Sequence, residues 1–199
     1  MDATIRVVHE ADAGAIAAIY APIVEATHIS FETIPPSAAE MRARIRDGIE
    51  RFPWIVCEVE GTVVGYAYAR PHNDRPAYQW GVDVSVYVDE GWRRTGVARG
   101  LYESLFELLR RQGFFTAYAL IALPNRPSVS LHESLAFERV GYYERAGYKH
   151  GAWNDVGHWQ LTLQPHETPP DPPIPFAEFR TTDAFEHALR TGEPTIRRE

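Results

Sequence analysis

The stretch Val86–Tyr102, VYVDEGWRRTGVARGLY, changes character twice. It begins with residues that suit a strand, crosses two adjacent arginines, Arg93 and Arg94, and ends in the opening of a helical pattern. Gly96 stands at the switch. A helix N-terminus exposes unpaired amides and the positive end of the helix dipole. A phosphate can occupy that place without any side-chain ligand. Glycine lets the backbone approach a bulky anion, and Arg94 and Arg99 add attraction. The pattern is neither GxxxxGK(S/T) nor GxGxxG. Alone, it is weak evidence, because a strand–loop–helix with Arg and Gly is more often just a connecting turn.

Working outward, Ala98, Leu101, Leu105 and Leu108 form the inward side of a helix that Gly113 ends. Upstream, YQWGVDVSVYV predicts a long strand. Trp80, Val82, Val84, Val86 and Val88 fall on one face, and Gly81, Asp83, Ser85 and Tyr87 on the other. WIVCEVEGTVVGYAYARP predicts a hairpin that turns at Glu60-Gly61. TIRVVHE predicts a first strand, and Ile16, Ile19, Tyr20 and Ile23 mark a helix after it. Ser37 and Glu40 form a capping box for a second helix, with Met41, Ile45 and Ile49 inward.

Downstream, FFTAYALIA predicts a strand, PSVSLHESLAF a short helix starting at or just before Ser128, and VGYYERAGY and DVGHWQLTL the final strands. The expected fold class is mixed α/β around one mostly antiparallel sheet. From Pro165 the composition shifts to PHETPPDPPIP, an extended proline-rich segment. TDAFEHALRTG then suggests a short amphipathic helix with Asp183 and Glu186 as its box. We therefore divide the chain into residues 1–164 and a tail, 165–199.

A chain of 199 residues with 45% hydrophobic and 24% charged content suits one globular domain. A formal charge of −7 argues against a grip on nucleic acid. The single cysteine, Cys57, excludes an internal disulfide and reads as a small core residue. There is no apolar signal core and no membrane span. HESLA is not HExxH, so no metal is expected. The expected location is cytoplasmic.

RRTGVA, Arg93–Ala98, resembles the (Q/R)xxGx(G/A) pyrophosphate loop of the GCN5-related N-acetyltransferases (GNATs), and LPNRPSVSLHESLAF resembles their second signature. FPWIVCEVEGTVVGYAYA, AYQW, VYV and AGYKHGAWNDVGHWQL narrow the likeness to phosphinothricin and methionine sulfoximine acetyltransferases, over roughly residues 4–164. The resemblance implies a sheet splayed into a V that holds acetyl-CoA. It implies that the amides of Arg94, Thr95, Gly96, Val97, Ala98 and Arg99 hold the pyrophosphate. Val86, Tyr87 and Val88 would pair with the pantetheine arm, an amide at or near Val88 would face the thioester carbonyl, and Asn125 and Ser134 would make further contacts. It also implies a homodimer.

The implied reaction is direct transfer of acetyl to the amino group of a small amino acid. Asp83 stands where the family has a glutamate proposed as the base. By its residue type it is equally a salt-bridge partner for a neighbouring arginine, because a lone buried carboxylate needs a partner or a purpose. His132 stands where many relatives carry a tyrosine that protonates the departing thiolate. Phe31, Arg75, Tyr78 and Ser85 match substrate positions, the arginine suiting a carboxylate. Asn73 replaces the lysine of the herbicide-acetylating enzymes, which favours a neutral sulfone or sulfoximine over an anionic phosphinate. The alternatives are a non-catalytic acyl-CoA-binding module and an acetyltransferase for another amine.

Overall fold

The computed structural model describes residues 3–197. Seven strands form one sheet in the order β1-β2-β3-β4-β5-β7-β6. They are β1 (Ala3–Val7), β2 (Trp54–Val59), β3 (Thr62–Pro71), β4 (Gly81–Val88), β5 (Thr116–Leu123), β6 (Glu138–Lys149) and β7 (Ala152–Thr162). Every neighbouring pair is antiparallel except β4 and β5. The hairpin turns at Glu60 and Gly61, both at positive φ (48° and 77°), as a tight turn between right-twisted strands requires. β4 begins later than its pattern suggested, because Pro76–Tyr78 forms a turn of 3-10 helix first.

Alternation along the strands builds two cores. Ile55 and Cys57 of β2, Ala67 and Ala69 of β3 and Val82 and Val84 of β4 pack under α3 (Val97–Gln112). Trp54, Val56 and Tyr66 face α1 (Ala13–Ala26) and α2 (Ala38–Ile49). The α2 capping box forms: Ser37 Oγ accepts from the Glu40 amide at 3.2 Å, and Glu40 Oε2 accepts from the Ser37 amide at 2.7 Å. In α3 the inward positions include Val97 rather than Ala98. Gly113 ends α3 in the left-handed region, at φ 93°. α4 (Arg126–Ser134) starts after its cap, Asn125, whose side chain accepts from the Ser128 amide at 3.2 Å.

The tail is part of the fold. Trp80 Nε1 donates to Asp171 O at 2.7 Å, and the Ile174 amide donates to Gln112 O at 2.7 Å, so the proline-rich segment lies against the body. Helix α5 (Phe176–Phe179) and helix α6 (Phe185–Arg190) put Phe176, Phe179, Phe185 and Leu189 into the core under α3. Asp183 is not the α6 cap; Ala184 occupies that position, with no side-chain hydrogen bond. Beyond α6, the Gly192 amide donates to Ser104 Oγ (3.0 Å), Glu193 Oε1 accepts from the Ile5 amide (2.9 Å) and the Arg197 amide donates to Thr95 O (2.7 Å). These contacts cover the β1 edge and bind the start of α3. An uncovered edge would invite pairing with another chain.

Phe176 is 0% exposed, so Phe176→Ala is expected to cost about 3–5 kcal/mol. That is roughly 6–20 °C in Tm for a chain of this size. A melting point within a degree of wild type would show that the tail does not share the core.

Candidate active site

The site begins where a sheet ladder stops. β4 pairs with β5 at only three registers, Gly81↔Thr116, Val82↔Ala117 and Asp83↔Tyr118. Beyond Asp83 the strands part. Residues 84–88 keep β3 on one side, while Ala119–Leu123 keep only β7, which pairs with β5 along its whole length. The opening between them holds about 400 Å³ of empty space, part of it open to solvent. Val84, Ser85, Val86 and Tyr87 line one wall and residues 119–122 the other. Inside a sheet this leaves a strand edge of peptide groups without a strand partner, and such groups demand one. An extended ligand with amide groups supplies it by adding a strand.

The N-terminus of α3 follows β4 by one short loop. Its cap, Gly96, has φ +90° and offers no side-chain hydrogen bond. The first helical bond is Gly100 N–H to Gly96 O at 2.9 Å, so the amides of Val97, Ala98 and Arg99 have no partner within the helix. Arg94, at φ 67°, turns the loop into the helix. This arrangement fits an anionic group, and the strand edge beside it fits an amide-bearing arm. Arg99 Nη2 donates to Ser134 Oγ at 2.5 Å, tying α3 to α4 at residues both expected at the cofactor. Thr95 Oγ1 donates to Trp92 O at 2.7 Å and shapes the loop.

His132 lines the opening but is itself buried. Its Nδ1 lies 2.8 Å from Ser128 O, which only accepts, so Nδ1 carries the proton. Nε2 then accepts from the Tyr102 hydroxyl at 3.0 Å. Burial pushes the imidazole pKa down, against the Ser128 carbonyl, and holds the ring neutral. Burial pushes the Tyr102 phenol well up, so it keeps its proton. Tyr102 also lines the opening. In the sequence it has no marked role, and only the fold shows its bond to His132.

Asp83 closes the far end. It is 8% exposed, with Oδ1 at 2.7 Å from His72 Nδ1 and Oδ2 at 3.2 Å from Arg70 Nη2. The arginine expected as its alternative partner is therefore Arg70. The histidine had no signal beyond its place in a loop, PHND.

Ser85, Val86, Tyr87, Asn125 and His132 all line the same opening. The other expected substrate residues lie outside this lining. The Phe31 ring packs on Gly147, where any side chain would collide with it. Arg75 is exposed, its amide donating to Asn73 Oδ1 at 3.0 Å. Tyr78 is 47% exposed, with its ring centroid 6.2 Å from that of His72. Two further residues shape the acceptor side. Ile29 lines the opening, and buried Lys149 donates from Nζ to Val24 O (2.6 Å) and Ser30 O (2.7 Å), fixing the loop that carries Ile29. Cys57 is 0% exposed and burial pushes its thiol pKa up to about 12, so it is no nucleophile.

Residues 5–158 match a family described as "Acetyltransferase (GNAT) domain". The chain is 40% identical to a phosphinothricin N-acetyltransferase of Streptomyces viridochromogenes, over 88% of this chain and 95% of that one. It is 33% identical to an L-methionine sulfoximine/L-methionine sulfone acetyltransferase of Pseudomonas paraeruginosa, over 85% and 100% of the two chains. Among solved structures, a GNAT superfamily phosphinothricin acetyltransferase of Sinorhizobium meliloti in complex with AcCoA superposes with a TM-score of 0.82 at 33% identity, covering 91% and 100%. The forked sheet, the uncapped helix and these likenesses agree: the chain belongs to the GNAT family and is an acetyl-CoA-dependent N-acetyltransferase.

Proposed function

We propose that the protein transfers acetyl from acetyl-CoA directly to the amino group of a small amino acid of the methionine sulfone, methionine sulfoximine or phosphinothricin kind. The observation that carries this reading is the fork. An uncapped helix start at Gly96 leads along an unpaired strand edge, 84–88, to a buried carboxylate at Asp83. On this reading the α3 amides take the diphosphate, and Val86, Tyr87 and Val88 pair with the pantetheine arm. The thioester then lies past Val86, near Ser85 rather than at Val88 where the resemblance put its amide partner, and within two residues of Asp83, or about 7 Å along the strand.

The acceptor enters on the face shared by Asp83, Ser85 and Tyr87, opposite α3. Proton removal from the amine belongs to the Asp83 end. Protonation of the thiolate belongs to the Tyr102–His132 pair, whose hydroxyl is held by Nε2. With Cys57 buried and protonated, no acyl-enzyme is needed. Asn73, exposed and uncharged, favours a neutral sulfone or sulfoximine over a phosphinate. Tyr143, Tyr148 and Trp153 are 64%, 61% and 61% exposed on β6 and β7, which supports a homodimer through that face. Among the described residues no helix is long and apolar enough to cross a membrane. A donor made inside cells fits a cytoplasmic site of action.

A panel of amino acids with acetyl-CoA tests the reaction by free-thiol release. Methionine sulfone and sulfoximine are expected to give steady release. Flat traces across the panel, with coenzyme A still raising Tm, would instead mark a binding module. Asp83→Asn is expected to lower kcat about 10²-fold or more, with coenzyme A affinity unchanged. Turnover at the wild-type rate would remove Asp83 from the reaction. Light scattering is expected to give twice the 22.6 kDa chain mass, falling to one chain in Trp153→Glu. A monomeric wild-type protein would contradict the proposed interface.

A further inference from the structure

We infer that His72, held by Asp83, is the general base that takes the proton from the acceptor amine; the inference rests on the acetyl-transfer reading above. Both Asp83 oxygens are already engaged, one by a guanidinium and one by an imidazole. With each oxygen already holding a partner, the carboxylate reaches the acceptor amine only through one of them. Its side chain is also one methylene shorter than a glutamate at the same position. The pair extends that reach by a whole imidazole ring.

The geometry fixes the roles. A carboxylate oxygen only accepts, so the Nδ1 at 2.7 Å carries the proton and Nε2 carries the lone pair. Asp83 then orients the ring and stabilises the imidazolium when it forms, the same division of labour as in a base-and-orienter pair. The ring is held from below as well. It stacks on Tyr118 with centroids 4.1 Å apart and planes at 27°. Tyr118 is the residue registered across from Asp83 at the last rung before the fork. That ring can lie there because position 81 is glycine: a Cβ at Gly81 would sit 3.1 Å from the Tyr118 ring edge. The His72 side chain keeps 30% exposure, so it is reachable from solvent beside Asp83, one residue before the strands part.

The step balances without any further reagent. Nε2 takes one proton from the acceptor ammonium, giving imidazolium and a free amine. The amine nitrogen forms a bond to the thioester carbonyl carbon. Collapse breaks the C–S bond, and the thiolate takes the second nitrogen-borne proton through the Tyr102 side of the cleft. His72 returns its proton to water.

The test compares three variants in the thiol-release assay, each checked by circular dichroism and by the Tm gain with coenzyme A. His72→Ala is expected to lose about 10²–10⁴-fold in kcat with little change in KM for acetyl-CoA. Added imidazole should restore turnover in His72→Ala, in proportion to its concentration, and should not restore it in Asp83→Asn. His72→Phe keeps the stack on Tyr118 but has no nitrogen, and should be as slow as His72→Ala. A purely packing role predicts the opposite, an active His72→Phe and no imidazole effect, and either result would overturn the assignment. Wild-type turnover with unaffected His72 variants would overturn this assignment alone. A wild type inactive across the amine panel would overturn the transfer reading and the assignment together.

Discussion

A sheet interior leaves no room for unpaired peptide groups, and β4 breaks that rule over residues 84–88. Its partner β5, paired with β7 along its whole length, parts from β4 after the Asp83–Tyr118 rung. The break is compensated on the other side, where β3 continues alongside β4 through the Gly65–Val88 rung. The cost of the open edge is recovered only when something extended and rich in amides lies in it. Pairing on one side and vacancy on the other turn a structural defect into a binding site, and the remaining elements act to keep that edge open.

Three devices hold the opening in shape. α3 is pressed onto the sheet by Val97, Leu101, Leu105 and Leu108, which places its uncapped start at one end of the edge. The tail runs along the other flank of α3, where Gly192 meets Gly100 so closely that a Cβ on Gly192 would fall 1.8 Å from Gly100 O. Its Arg197 amide binds Thr95 O inside the phosphate loop itself. On the acceptor side, Lys149 ties the end of α1 to β6, and His28 Nε2 lies 3.0 Å from Pro124 O beside the start of α4. The opening is therefore framed by contacts between segments about a hundred residues apart in sequence.

Much of this was legible in the sequence because it is local. The alternation in VDVSVYV placed Asp83, Ser85 and Tyr87 on one face and the valines on the other, and RRTG announced the α3 start. The capping box at Ser37 and Glu40 formed as its spacing demands. What the sequence hid is non-local. His72 sits in a polar loop with no periodicity, and only the β3–β4 register brings it to Asp83. Tyr102 carries no expected role in the sequence, and only the packing of α4 sets His132 against it. The tail helix was visible, but its cap was misplaced, because packing of Phe185 and Leu189 under α3 sets where α6 begins rather than an Asp183 box. Arg75 and Phe31 carried expected roles that the opening does not gather; one lies in an exposed loop and the other against Gly147.

The account turns on the open edge of β4 and the adjoining amides of α3 being what the donor occupies. Residue-resolved amide hydrogen exchange, with and without saturating coenzyme A, reads this directly. The account predicts strong new protection at Val84, Val86 and Val88, whose amides point away from β3, and at residues 96–99, with β1 and β2 unchanged. Coenzyme A that binds, yet leaves those amides exchanging as in the free protein, would contradict it.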